Sequence, residues 1–229
     1  MKKSIVLATA VAAVLTSSVA TADLSANAGV FSNYIWRGVT QTSDSAARQG
    51  GIDLSDDSGL YVGTWTSTIT NGQELDVYAG FAGEAGSLGY DLGVITYQYP
   101  KSPEFNFTEL YVSGTASIVT VGVAYTVDAA SGNDGGVFDS GDLYINGSLD
   151  FPAGISDVSL YAGTYMFDND GGTAGNADYN HYGASLSKDG FTFAIDKNDI
   201  DAGDALSGLG GPDDDAVRFT VSYSVDIEL

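Results

Sequence analysis

The chain has no cysteine, one histidine and eight Lys plus Arg against thirty Asp plus Glu, and each shortage closes a class of function. Without cysteine, an exported domain of this size is held by hydrogen bonds and buried surface and not by disulfides. The same gap, with a single histidine, excludes a Cys/His zinc cluster. A formal net charge of −22 repels phosphate backbones, whose binding rests on basic side chains, so nucleic acid is excluded as a partner. Beyond residue 22 no apolar run approaches the roughly 20 residues of a spanning helix.

What is present begins with Met1, Lys2 and Lys3, the apolar stretch Ile5 to Leu15 and the small-residue site Ala20-Thr21-Ala22. This order reads as a cleaved signal peptide over residues 1–22, with Sec-type export and a mature domain over 23–229. That domain fits a single folding unit.

The absence of a spanning helix does not make the chain soluble, because barrel strands alternate lipid-facing and lumen-facing residues and stay near neutral in average hydropathy. Period-two alternation recurs throughout. It is clearest where Leu143, Ile145, Gly147, Leu149 and Phe151 alternate with Asp142, Tyr144, Asn146, Ser148 and Asp150. The last segment repeats it, with Val217, Phe219, Val221, Tyr223, Val225, Ile227 and Leu229 set against Arg218, Thr220, Ser222, Ser224, Asp226 and Glu228.

Runs rich in Val, Tyr, Phe, Ile and Thr and bounded by Gly, Asn and Asp predict strands near 24–39, 46–55, 60–68, 75–83, 88–99 and 107–115. Six more follow near 119–128, 142–151, 157–167, 179–187, 191–198 and 216–228. Most are longer than the about 5 or 6 residues usual in soluble proteins and match the roughly 9 to 11 of a tilted spanning strand. Short connections at 56–59, 84–87, 116–118, 152–156 and 188–190 join each even strand to the next odd one, and the other connections are mostly longer. The expectation is an all-β, antiparallel up-and-down transmembrane barrel of about 12 strands. Aromatics near strand ends, Tyr34, Trp36, Trp65, Tyr97, Tyr99, Tyr165, Phe167, Tyr179, Tyr182 and Phe191, read either as interfacial girdles or as cross-strand packing.

The stretches Ser32-Asn33-Tyr34-Ile35-Trp36-Arg37-Gly38-Val39-Thr40-Gln41-Thr42, Gln49-Gly50-Gly51-Ile52-Asp53 and Gly59-Leu60-Tyr61-Val62-Gly63-Thr64-Trp65 resemble the TorF-type porin family, also known as the Gcw_chp proteins of unknown function. The resemblance covers about the first 45 mature residues in wording. It implies an exported outer-membrane barrel with a channel role and brings no catalytic or ligand residues with it. The last strand departs from the common barrel ending, since Ile227 and Leu229 are aliphatic where an aromatic is usual.

If the apolar series faces lipid, Asp76, Glu109, Asp142, Asp150, Arg218 and Asp226 point inward, joined by Arg37 from a poorly alternating segment. Such charges either tune an open pore or pair into a plug. About 8 strands leave an interior that side chains fill and about 16 leave an aqueous channel, so twelve falls between. The acidic loops contain Asp168-Asn169-Asp170-Gly171-Gly172, where Asp168 and Asp170 are calcium candidates by their spacing, although the full 12-residue calcium loop is missing and solvated hairpin tips have the same composition. No other cofactor is expected. His181 with Ser185 is the one combination that could enter a Ser-His-acid group, against the commoner reading of a strand histidine as a wall residue, and the expectation is non-enzymatic.

Three functions fit these observations: a small passive channel preferring cations; a non-conducting structural or surface-binding barrel with acidic loops; and an exported soluble β protein. The first two place the chain in a bacterial outer membrane with lipid and lipopolysaccharide around it, small ions or solutes as cargo, and periplasmic chaperones and the barrel-assembly machinery as partners during biogenesis.

Overall fold

In the computed structural model, residues 23–130, 138–168, 177–201 and 215–229 are described. The expected signal peptide over 1–22, and Asp170 with it, lie outside them. Fourteen strands occur in this part of the chain. Twelve close into a barrel: β1 (Asp23–Phe31), β4 (Ala47–Ser55), β5 (Leu60–Ile69), β6 (Gly72–Ala85), β7 (Leu88–Gln98), β8 (Phe107–Ala116), β9 (Val119–Ala129), β10 (Leu143–Ala153), β11 (Ser156–Met166), β12 (Tyr179–Lys188), β13 (Phe191–Asn198) and β14 (Arg218–Glu228). The remaining two, β2 (Ile35–Trp36) and β3 (Val39–Thr40), pair only with each other.

Every barrel strand pairs antiparallel with its neighbours in chain order, and β1 closes the ring on β14, with Ala28 opposite Val225. Closure leaves no edge with unpaired backbone groups. The five short connections lie together at one end of the barrel, here the turn end. β1 begins there too and rises toward the opposite, loop end. Turn chemistry fixes the short links: in the first, Gly59 sits at φ +94°, where a Cβ would strike the Ala82 carbonyl oxygen, and Asp56 accepts from the Ser58 backbone N–H and hydroxyl. Those two bonds hold the Asp56 carboxyl below its ordinary range.

Two sequence expectations need correction here. The first strand does not run to residue 39 but stops at Phe31, because the chain turns inward at Ser32 and Asn33. The connection expected over 69–73 shrinks to the two residues between β5 and β6.

Alternation sorts the side chains as a barrel requires. Val62, Val77, Val94, Val112, Val121, Leu160 and Val221 stand exposed on the outer wall, as do most other large aliphatic residues. Their inward-facing neighbours are Tyr, Asp, Glu, Ser and Gly. The hydrophobic core sits inside the lumen and toward the loop end, where Tyr97, Phe107, Tyr144, Tyr165 and Tyr179 meet Tyr34 and Trp36. The girdle reading is thereby overturned for Tyr34, Trp36, Tyr97, Tyr165, Phe167 and Tyr179, all buried in that core, whereas Tyr182 and Phe191 do face outward. Inward and outward aromatics have the same composition, and only register separates them.

Leu160, near the middle of β11 on the outer wall, and Ser159, its inward neighbour, test the assignment of faces. Leu160→Arg is expected to destabilise the bilayer-inserted barrel by about 2 to 4 kcal/mol, and Ser159→Arg to be tolerated. Heat-modifiable mobility and urea titration in lipid bilayers measure both; equal losses would reverse the faces.

Candidate functional site: a hairpin folded into the lumen

Residues 32–46, between the first two barrel strands, descend into the lumen and come back. The tip is the hairpin β2–β3, whose two-residue turn places Arg37 at φ +48° and Gly38 at φ +80°. Two positive φ values in succession are the type I′ geometry that matches strand twist. Gly38 is required twice, since a Cβ there would also collide with His181 on the wall. Arg37 has no such freedom and carries a left-handed strain of about 1 to 2 kcal/mol.

Short polar side chains close the base of the hairpin. Asn33 Oδ1 accepts from the Thr40 and Thr42 hydroxyls, and the Tyr34 backbone N–H donates to Thr42 Oγ1. From this base the loop is tied to the wall at several points. The Tyr34 hydroxyl donates to Glu74 on β6 (3.0 Å), Asn198 Nδ2 on β13 donates to the Gly38 carbonyl (2.9 Å), Arg218 Nε on β14 donates to Asp44 (2.8 Å), and Arg37 reaches Glu109 on β8.

The last contact is bidentate: Arg37 Nη1 and Nη2 donate to the two Glu109 carboxylate oxygens at 2.8 and 2.6 Å, and both side chains are almost wholly excluded from solvent. Aromatic rings enclose the guanidinium, whose Cζ lies 4.3 Å from the Trp36 ring centroid, 4.0 Å from Tyr144 and 4.8 Å from Tyr165. Such contacts reach about 2 kcal/mol each when desolvated and offset the strain at Arg37. The β8–β9 register shifts by one residue at Glu109, where Thr108 faces Asp128 but Glu109 faces Thr126. The extra residue, Val127, is a bulge, a device that re-aims side chains beside sites.

Edge-to-face contacts of Trp36 with Tyr97, Phe107, Phe138 and Tyr165, at 5.8 to 6.1 Å, complete the packing. The loop-end half of the lumen is filled. Below it, tyrosines lie over glycines of neighbouring strands, Tyr78 beside Gly63, Tyr111 beside Gly93 and Tyr161 beside Gly183. Tyr61 lies likewise beside Gly80; its hydroxyl meets that of Tyr111 and donates to Asp91 (2.6 Å), while Tyr161 donates to Asp196 (2.7 Å) and Tyr78 to Asp53. Toward the turn end Asp53, Asp91, Asn146 and Ser148 are only half-buried, forming a polar vestibule.

Of the residues expected to line the lumen, Arg37, Asp76 and Glu109 come together in the packed chamber. Arg37 arrives there on the hairpin and not on a barrel strand. Asp142 is buried at the loop-end rim, where it accepts from the Asp139 and Asp168 backbone N–H groups; burial nevertheless pushes its carboxyl up to about 6. Arg218 lies at the same end and holds Asp44. Asp150 faces inward in the vestibule and accepts from Ser148, and Asp226 is exposed on β14 near the turn end. Glu74, Asp53, Asp91 and Asp196 were not singled out from sequence, although each occupies an inward position in its strand's alternation.

The calcium candidate Asp168 lends its backbone N–H to Asp142, and among the described residues no group of three or more His, Cys, Asp or Glu is arranged to hold a metal. His181 and Ser185 both face inward on β12, but four residues of strand separate them by roughly 13 Å, so they cannot act as base and nucleophile. His181 Nε2 instead shares a 2.7 Å hydrogen bond with the Tyr144 hydroxyl.

Glu109→Ala would leave the Arg37 guanidinium buried without its partner, at an expected cost of about 3 to 5 kcal/mol, whereas the double change Arg37→Met with Glu109→Met is expected to cost far less. Urea unfolding of the three proteins in micelles measures the difference, and equal losses would mean that the pair is not coupled.

Among curated proteins none matches this sequence. Solved porins share the fold: a KdgM porin, 10% identical, aligns with a TM-score of 0.55 over 90% of this chain and 99% of its own. A KdgM porin in complex with disordered oligogalacturonate gives 0.53 at 8% identity, over 90% and 99% of the two chains, and a NanC porin gives 0.50 at 13%, over 90% and 100%. A family model described as a bacterial protein of unknown function, Gcw_chp, matches residues 16–224; it carries that name of the family resembled and not the TorF-type label. That match spans most of the sequence, and the chain belongs to the Gcw_chp family of bacterial proteins.

Proposed function

We propose that the protein is a bacterial outer-membrane barrel that passes small cations through a narrow lumen whose loop end the β2–β3 hairpin closes in this conformation. The apolar outer wall supports the bilayer location, since exposed surface of that extent around a closed barrel is suited to acyl chains. In that setting the turn end faces the periplasm and the acidic loop end meets lipopolysaccharide.

The observation that carries the cation preference is the imbalance of inward charge. Glu74, Asp76 and Glu109 in the packed half, with Asp53, Asp91, Asp150 and Asp196 elsewhere along the lumen, face two arginines, Arg37 and Arg218, each already bonded to a carboxylate. A low-dielectric wall focuses such a field and concentrates counter-ions. An acidic sugar chain, such as the oligogalacturonate in one KdgM complex, would be repelled, so inorganic and small organic cations are the solutes proposed.

The second reading, a non-conducting structural barrel, is favoured by the packing around Trp36. Planar-bilayer recordings separate the two. The wild type is expected to conduct weakly with a reversal potential toward that of potassium in a KCl gradient, and replacing Ile35–Thr40 by a Gly-Gly link to raise conductance. Asp53→Asn with Asp91→Asn and Asp196→Asn is expected to lower the cation-to-anion permeability ratio. Silence from both the wild type and the shortened hairpin would establish the second reading, and a chloride preference would sink the first.

A further inference from the structure

The chamber around Arg37 contains more than one ion pair needs. Three carboxylates, Glu74, Asp76 and Glu109, are buried there with a single cation. Among the described residues, the buried side-chain polar atoms without a hydrogen-bond partner are four: Asp76 Oδ1, Thr126 Oγ1, the Tyr165 hydroxyl and His181 Nδ1. All four belong to this chamber. Thr126 is paired in register with Glu109, Tyr165 and the Tyr144 bonded to His181 lie over the guanidinium, and Asp76 projects inward from β6 in the same half. Each of these side chains is more than nine-tenths buried. Native interiors leave few such groups, so four in one place mark this chamber as polar beyond what the hairpin satisfies.

The occupant of the chamber is also unusual. It enters from a loop, on a non-glycine residue with positive φ. Strain of that kind collects where a segment is held for function. What the wall supplies is a carboxylate matched to a planar fork and tyrosine rings on the guanidinium's flanks, a pattern that suits guanidinium better than a compact ammonium.

We infer that the Glu109–Tyr144–Tyr165 cage is a binding site for a guanidinium-bearing solute, occupied in the resting barrel by the chain's own Arg37. The solute and Arg37 compete for one seat, so binding and withdrawal of the hairpin are linked. The inference rests on the cation-passage reading for its physiological purpose, but the site itself is testable without any current.

Arg37→Ala removes the part of the side chain that ethylguanidinium would replace. Wild type, Arg37→Ala, and Arg37→Ala with Glu109→Gln are compared in micelles by titration calorimetry and thermal unfolding, at constant ionic strength, with ethylguanidinium chloride or ethylammonium chloride as the probe. Ethylguanidinium is expected to bind Arg37→Ala at least about tenfold more tightly than ethylammonium, to raise its Tm, and to bind the Glu109→Gln double variant at least about tenfold more weakly. Wild type should bind more weakly than Arg37→Ala, because its seat is taken. Should Arg37→Ala fail to fold unaided, ethylguanidinium present during refolding is expected to restore the folded band on a heat-modifiability gel, and ethylammonium is not. Equal binding of the two probes, binding that survives loss of the Glu109 charge, or no binding or rescue overturns the inference. A silent barrel that binds ethylguanidinium would refute the channel and keep the cage; a conducting barrel indifferent to it would do the reverse.

Discussion

A closed ring of strands with its aliphatic side chains turned outward has used up the usual means of filling an interior. The apolar residues that would form a core in a soluble sandwich are committed to the wall, and the inward series must be built from polar and aromatic groups. The carboxylates of the packed half then lie in a space enclosed by backbone and rings, where an uncompensated charge is costly. The arrangement inside this barrel follows from that constraint. Tyrosines lie over glycines so that rings fill the width while their hydroxyls reach Asp53, Asp91 and Asp196, and at the loop end a segment of the chain itself brings in the cation that Glu109 lacks.

The period-two signal was strong enough to place all twelve barrel strands from sequence, because the face of each residue is its position in an alternation and does not depend on distant contacts. Asp76, Glu109 and Asp150 could be assigned inward for the same reason. Asp53 between Ile52 and Leu54, and Asp196 beside Ile195, carry that signal equally, in strands whose alternation is otherwise less clean. The hairpin was not legible in this way. Residues 32–42 alternate poorly, and poor alternation reads as a strand extension until the Arg37-Gly38 turn and the Asn33, Thr40 and Thr42 side chains are seen closing on one another. The stretch that carried the family resemblance is the same stretch.

Charge alone leaves the lumen undecided between pore and plug, and its two halves are packed differently. The turn-end vestibule keeps half-buried Asp, Asn and Ser, whereas the loop-end half holds rings packed at 4.3 Å, as Tyr97 on Phe107, and 4.2 Å, as Tyr165 on Phe167. The boundary between them is where the hairpin tip ends. Strand number sets the diameter, but one loop of fifteen residues, 32–46, sets how much of that diameter is left.

The latch is asymmetric in a way that bears on how it could open. Tyr34 to Glu74 and Asn198 to Gly38 are single hydrogen bonds, and Arg218 makes two bonds to Asp44, whose carboxylate is open to water. Arg37 to Glu109 is different, because withdrawal of the guanidinium leaves a carboxylate in a chamber that already holds Glu74 and Asp76. The barrier to opening is therefore set less by the contacts broken than by the charge left behind. A cation able to take the vacated seat lowers it, and an anion does not. In the channel proposed above, the chemistry that closes the barrel thus also selects what favours its opening.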